Sequence, residues 1–283
     1  MEIMNFIKSC EWVFEHLEDP SLAMVDCQAV LSTGEGAGLY HEEHIPGAVH
    51  FDLGQDLSGP VQTHGGRHPL PDIALFVDKV GKAGIHQDLT VVLYDGGDAA
   101  PAARAWWLFR FIGHERVYVM DGGLKEWKRN DFPVTKEVPS PRERHYQPTI
   151  KEYMIAGVEE VRAFAEGESD VVLIDSRSSE RYRGEEEPLD RVAGHIPGAV
   201  NLPWFDALSE GRYLDPEIQK QRYAGMDKQQ RVIVYCGSGI TATPNIISML
   251  ESGFEDVRLY AGSYSDWVSY PGNKVANPGI SNQ

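Results

Sequence analysis

The sequence predicts a tandem α/β protein: two similar domains, each a mainly parallel sheet with helices on both faces. Three observations carry that prediction. Four sequence blocks recur in the same order, short β-branched runs alternate with helical stretches, and a proline-rich, charged segment separates the copies.

The repeat is the most informative of the three. Residues 24–28 (MVDCQ) are answered by 173–177 (LIDSR), and 44–53 (HIPGAVHFDL) by 195–204 (HIPGAVNLPW). Residues 91–102 (VVLYDGGDAAPA) are answered by 232–243 (VIVYCGSGITAT), and 117–127 (VYVMDGGLKEW) by 257–267 (VRLYAGSYSDW). Matches that keep their order at nearly constant offset mean a duplicated domain. Within each copy, apolar runs at 91–94 and 232–235 have the length and β-branching of fully buried parallel strands. A small-residue turn follows each, and then a helical stretch, so the order strand, turn, helix, strand implies a right-handed layered fold. Residues 133–149 lack periodicity and read as a surface linker. The expected domains are 1–140 and 150–283.

Composition bounds the function. The 283 residues, 42% hydrophobic and 24% charged, suit two ordinary globular domains. No apolar run approaches the roughly 20 residues of a membrane-spanning helix. The first 20 residues carry acidic side chains and no long apolar stretch, so a cytoplasmic setting is expected. A net charge of -17 argues against nucleic acid or anionic membrane as partner. The same charge repels anionic substrates, so a site for one needs local arginines or backbone N–H groups. The three cysteines, Cys10, Cys27 and Cys236, form no close pair, which gives neither a disulfide framework nor a metal pattern. No cofactor or metal is implied.

Cys236 is the residue that carries chemistry. It follows the 232–235 strand, at the carboxyl end where open α/β sheets bind ligands. Gly237, Ser238, Gly239, Ile240, Thr241 and Ala242 then lead into a helix. Two glycines let the backbone fold round the sulfur with N–H groups inward, and the helix dipole adds to that field. Both effects favour the thiolate, the nucleophilic form. The first copy has Asp95 at the matching position, and a carboxylate cannot accept a sulfur atom. One active site per chain is expected. The two HIPGA turns occur in both copies, so chemistry confined to one copy cannot explain them. His44 and His195 therefore read as turn residues, and Trp127 and Trp267 as equivalent core positions.

These residues resemble the rhodanese family. Residues 40–48 (YHEEHIPGA) are similar to its N-terminal signature. Residues 259–267 (LYAGSYSDW) are similar to its C-terminal one, with Tyr264 and Asp266 where Trp and Glu are commoner. The resemblance spans about residues 10 to 270, and the Cys236–Ala242 loop looks like that of 3-mercaptopyruvate sulfurtransferases, with Ile240 for the usual Val. It implies two rhodanese-like domains and a persulfide formed on Cys236. Sulfur would pass from 3-mercaptopyruvate to a thiol or cyanide, with Gly237, Gly239, Ile240 and Thr241 lining the donor. Thiosulfate-preferring members tend to carry basic residues just after the cysteine, where they meet a dianion directly. Here the loop is neutral. Of Arg181, Arg183 and Arg191, the resemblance matches Arg181 and Arg191 to the pair that grips the donor carboxylate, a task suited to a guanidinium fork. It also joins Ser238 to a histidine of the first domain, matched by His68. The acidic partner falls near Gly54, which leaves Asp52 and Asp56 as substitutes. Cys10 and Cys27 are expected to be inert.

Three other readings compete. Thiosulfate sulfurtransferase uses the same persulfide route. A binding module without catalysis is disfavoured by the intact Cys236 loop. A cysteine phosphatase needs an arginine where this chain has Ala242.

Overall fold

The computed structural model describes residues 5–33 and 35–277. The first half forms a five-stranded sheet from β1 (Ile7–Lys8), β2 (Leu22–Asp26), β3 (Val49–His50), β4 (Thr90–Tyr94) and β5 (Val117–Met120). Its order is β1-β5-β4-β2-β3, with every pairing parallel. The second half has β6 (Val172–Asp175), β7 (Val200–Asn201), a short antiparallel pair β8 (Leu208–Ser209) and β9 (Arg212–Tyr213), β10 (Val232–Tyr235) and β11 (Val257–Leu259). Its main sheet runs β11-β10-β6-β7, again parallel throughout. A lone parallel bridge from Ile155 to Leu259 takes the place beside β11 that β1 holds beside β5.

The two halves repeat each other in detail. Val232–Tyr235 is buried along its whole length, as are Val91–Tyr94, which is why these segments read as unbroken apolar runs. Tyr94 and Tyr235 end them and accept the N–H groups of Ile45 (3.0 Å) and Ile196 (3.2 Å), so each strand holds its own HIPGA turn. His44 and His195 stack on Tyr40 and Tyr182 and bond those residues' carbonyls, both at 2.7 Å. The indole N–H groups of Trp127 and Trp267 donate to Pro133 and Lys274 carbonyls, both at 2.8 Å.

Helices α1 (Cys10–Glu15), α2 (Ala37–Glu42), α3 (Ile73–Lys82), α4 (Ala100–Phe111) and α5 (Gly123–Arg129) belong to the first half. Helices α6 (Val158–Ala165), α7 (Ser179–Arg183), α8 (Pro216–Arg222), α9 (Thr243–Glu251) and α10 (Ser263–Trp267) belong to the second. Helix α4 is buried almost all round, because it lies on β4 and β5 and also packs against α9 of the other half. A helix apolar on every side is buried on every side. One continuous core therefore joins the halves, and Arg104 of α4 reaches the loop at the carboxyl end of β10, donating to the Gly239 carbonyl at 3.2 Å.

Residues 133–149 do run over the surface, but they are strapped down. Thr135 bridges His44, the Arg144 N–H donates to the Gly81 carbonyl at 2.9 Å, and Tyr146 is buried with its hydroxyl 3.1 Å from His114 Nδ1. No helix among the described residues is long and apolar enough to cross a membrane.

Candidate active site

Cys236 stands at the carboxyl end of β10, and its sulfur accepts the Gly239 N–H at 3.1 Å. The Cys236 N–H donates to Ser263 Oγ at 3.1 Å; that hydroxyl lies 3.9 Å from the sulfur and donates to the Tyr260 carbonyl. The turn depends on Gly239. Its φ is +84°, and an added Cβ would lie 2.2 Å from the Ala261 carbonyl oxygen. N–H groups of Tyr264 and Ser265 hold the Cys236 and Gly237 carbonyls at 3.0 and 2.9 Å.

The first half shows what such a loop is built to hold. Asp95 Oδ1 accepts N–H groups from Gly97 (2.9 Å), Asp98 (3.1 Å) and Ala99 (3.2 Å), and Oδ2 accepts from Ala102 (3.1 Å). The loop after β4 is thus an anion nest filled by its own carboxylate. Asp98 and Gly239 stand at the same offset from Asp95 and Cys236, so the N–H that meets the sulfur has its counterpart on the carboxylate.

Cys236 is only 1% exposed, more enclosed than a strand-tip cysteine suggests. Cys236 borders the apolar core that joins the halves, and a polar segment of the other domain closes against its loop. The Gly65 N–H donates to Asp266 Oδ1 at 2.7 Å, and the Arg67 N–H to Ser265 Oγ at 3.1 Å, which seats residues 64–68 against the cysteine loop. His68 Nδ1 then lies 2.8 Å from Ser238 Oγ, so the expected pair is assembled across the two domains. Beneath it, Arg104 of α4 is fully buried and donates only to carbonyls, those of Leu57 and Gly239 at 3.2 Å and of His68 and Pro69 at 3.3 and 3.4 Å. Arg104 fixes both the Gly239 peptide and the His68 loop. Burial lowers its pKa to about 10, an effect the Cys236 sulfur opposes.

Burial, with Arg104 and Arg67 adding to it, lowers the His68 pKa to about 4 from an ordinary 6.5. The imidazole is therefore neutral at physiological pH and able to accept the Ser238 hydroxyl proton. Between about pH 6.5 and pH 4 the unfolded chain binds more protons at this site than the folded one. This contribution to stability is present above 6.5 and is lost as pH falls through that window. For activity, the acid limb of kcat/KM assigned to His68 is expected near pH 4 and absent in His68→Gln. A His68-dependent limb centred near 6.5 would refute the buried neutral form.

Several expectations change. Asp52 and Asp56 do not complete a relay with His68. Asp52 Oδ1 caps the N–H groups of Gly54 and Gln55, both at 2.9 Å, while Asp56 pairs with Lys79 at 2.9 Å. Arg191 is exposed and turns its guanidinium to the Val268 carbonyl. Arg67, unnoticed in the sequence, joins Arg181 instead. A Cβ on Gly237 would lie 2.9 Å from Arg67 Nη2 and 3.3 Å from Arg181 Nη1. Arg67 comes from the first domain, so no reading confined to the RYRGEEEPLDR stretch could supply it. Arg183 pairs with Glu185 at the surface. The Ile240 side chain packs into the core, leaving only its backbone to the loop, and Thr241 is half-buried. Arg104 had a readable signal in the sequence, a lone cation within the apolar stretch APAARAWWLF.

Two copies of one parallel α/β unit, with Cys236 in one loop and Asp95 in the other, define a duplicated protein with a single cysteine loop. The chain belongs to the rhodanese family: the rhodanese-like domain matches residues 9–130 and again residues 158–270. It is 42% identical over 267 residues to a probable 3-mercaptopyruvate sulfurtransferase of Pseudomonas aeruginosa, covering 92% of this chain and 94% of that one. It is also 33% identical over 274 residues to a thiosulfate sulfurtransferase of Rattus norvegicus, covering 92% and 90%. The crystal structure of the Escherichia coli 3-mercaptopyruvate enzyme superposes with a TM-score of 0.81 at 30% identity, covering 93% of this chain and all of that one.

Proposed function

We propose that this chain is a sulfurtransferase that takes sulfur from 3-mercaptopyruvate onto Cys236 and passes it to a thiol or to cyanide. The observation that carries the reading is the sulfur seated on the Gly239 N–H within a loop whose sister loop already holds an anion. In the first half-reaction the Cys236 thiolate attacks the donor sulfur. The carbon–sulfur bond breaks, its electrons go to the pyruvate enolate, and the enolate carbon takes up a proton. That proton comes from solvent, and the Ser238 hydroxyl, bonded to the neutral His68, is placed to pass it on. The outer sulfur of the persulfide would sit where Asp95 places its carboxylate in the sister loop, stabilised by amide dipoles. In the second half-reaction the acceptor takes the outer sulfur and the Cys236 thiolate returns.

Arg181 is the proposed carboxylate grip, and Arg67 its partner in place of Arg191. The test is kcat/KM for 3-mercaptopyruvate and thiosulfate with cyanide as acceptor. Arg181→Ala is expected to raise KM for 3-mercaptopyruvate on the order of 10–100-fold, the loss of one charge-assisted contact. It should affect thiosulfate less, and equal effects would overturn the carboxylate assignment. One observation favours the thiosulfate reading: Arg67 brings a cation to Gly237 although the loop is neutral. Faster turnover of thiosulfate would select it. The three cysteines are unpaired, which supports a reducing, cytoplasmic setting. The partners this reading implies are small donor and acceptor molecules only.

A further inference from the structure

This inference deepens the donor-binding reading and rests on it. Arg67 and Arg181 come from different domains and converge on Gly237, yet the space between them is already taken. One carboxylate oxygen of Asp190 receives Arg67 Nη1, and the other receives Arg181 Nη2 at 3.0 Å. The Asp190 side chain is 3% exposed. A small carboxylate gripped by two guanidiniums would adopt this same bridging arrangement. We propose that Asp190 is a specificity-determining residue, an internal carboxylate that fills the Arg67–Arg181 fork until a donor's anionic group replaces it.

Four features support exchange over a fixed structural bridge. Asp190 lies between α7 and β7 on a segment without helix or strand, so its withdrawal breaks no ladder. Arg181 keeps a second partner, Glu187, at 2.8 Å and 3.2 Å, and so remains oriented when Asp190 leaves. Arg67 pairs with no other carboxylate among the described residues, so withdrawal frees its whole charge. Burial and Glu187 push the Asp190 carboxyl above its ordinary value despite both guanidiniums, which marks it as costly to keep charged there.

The consequence is a charge filter. With Asp190 in place, Arg67, Arg177 and Arg181 face Asp175, Glu187 and Asp190, and the cluster offers no net positive charge. A donor must displace Asp190, and its apparent affinity is reduced by the fraction of chains in the open form. Removing the internal competitor should help a dianion more than a monoanion, since attraction to the freed charge scales with ligand charge.

Asp190→Asn is therefore expected to lower KM for 3-mercaptopyruvate on the order of 5–10-fold and for thiosulfate further, with kcat within about 2-fold. A merely structural Asp190 would move KM upward. Asp190→Ser serves as a second neutral replacement, and Glu187→Gln as the contrast, where KM should rise because Arg181 loses its orienting partner. Unchanged or raised KM in both Asp190 variants, or an equal fall in Glu187→Gln, overturns the proposal. Independently of turnover, the concentration of sulfate or pyruvate that halves iodoacetamide labelling of Cys236 should drop at least about 5-fold in Asp190→Asn. No drop, or no protection of either form, overturns it as well. Failure of the donor reading looks different: wild-type protein would give no thiocyanate from either donor while the protection shift persisted.

Discussion

Cys236→Ser is expected to abolish sulfur transfer, with kcat reduced roughly 10⁴-fold or more, because removing a covalent nucleophile removes the route itself. The substitution is nearly isosteric, and the Gly239 N–H and Ser263 hydroxyl that meet the sulfur can also meet an oxygen. The variant should therefore fold, and a thermal melt close to wild type would confirm that. Mass measurement after treatment with donor should show one added sulfur on the wild-type chain, removable by cyanide, and none on the variant. Turnover or an added sulfur in Cys236→Ser would place the chemistry elsewhere. Cys10 and Cys27 are poor substitutes. Burial holds the Cys10 thiol at about 12 and the Cys27 thiol well above its ordinary value, so neither supplies thiolate at neutral pH.

Gly239→Ala should give the second-largest effect, through geometry alone. Its new Cβ would stand 2.2 Å from the Ala261 carbonyl at a φ of +84°, so the loop must move and carry the Gly239 N–H off the sulfur. Losing one such donor costs on the order of 10²–10³ in kcat where a developing anion depends on it. The backbone strain adds about 1–3 kcal/mol of destabilisation. Gly47→Ala separates the two effects. That glycine also has a positive φ, +79°, but an added Cβ there meets nothing within 4 Å. It should lose about 1 kcal/mol and keep full activity. If both variants lose activity alike, general instability explains the effect. If only Gly239→Ala does, the amide on the sulfur is required.

Both predictions draw on information of a kind that sequence carries well. The β4 and β10 runs, the turn glycines and the Cys236–Ala242 loop are contiguous, and their conformations follow from local sterics and buried-strand periodicity. The duplication exposed the contrast between Asp95 and Cys236 without any coordinates. The anion site is a different matter. The expectation for it stayed within one stretch of the second domain and chose Arg191, whose guanidinium goes to the Val268 carbonyl. Beside Gly237 stands Arg67 from the opposite domain instead, which is why the proposed grip pairs it with Arg181. Likewise Asp52 and Asp56 sit near the right place in sequence but spend their carboxylates on local N–H groups and Lys79.

By itself, then, the sequence determined the duplicated parallel α/β scaffold, the single loop cysteine at a strand tip and the aspartate at the matching position of the other copy. Each of these is written in neighbouring residues. The docking of the two halves through α4 and α9 decided the rest: the near-complete enclosure of Cys236, the neutral His68 on Ser238, the buried Arg104 that fixes both loops, and the Asp190 carboxylate held between guanidiniums from two domains. Each of these depends on a contact between residues more than a hundred positions apart. Their geometry depends on how two packed surfaces fit together, which no local pattern along the chain encodes.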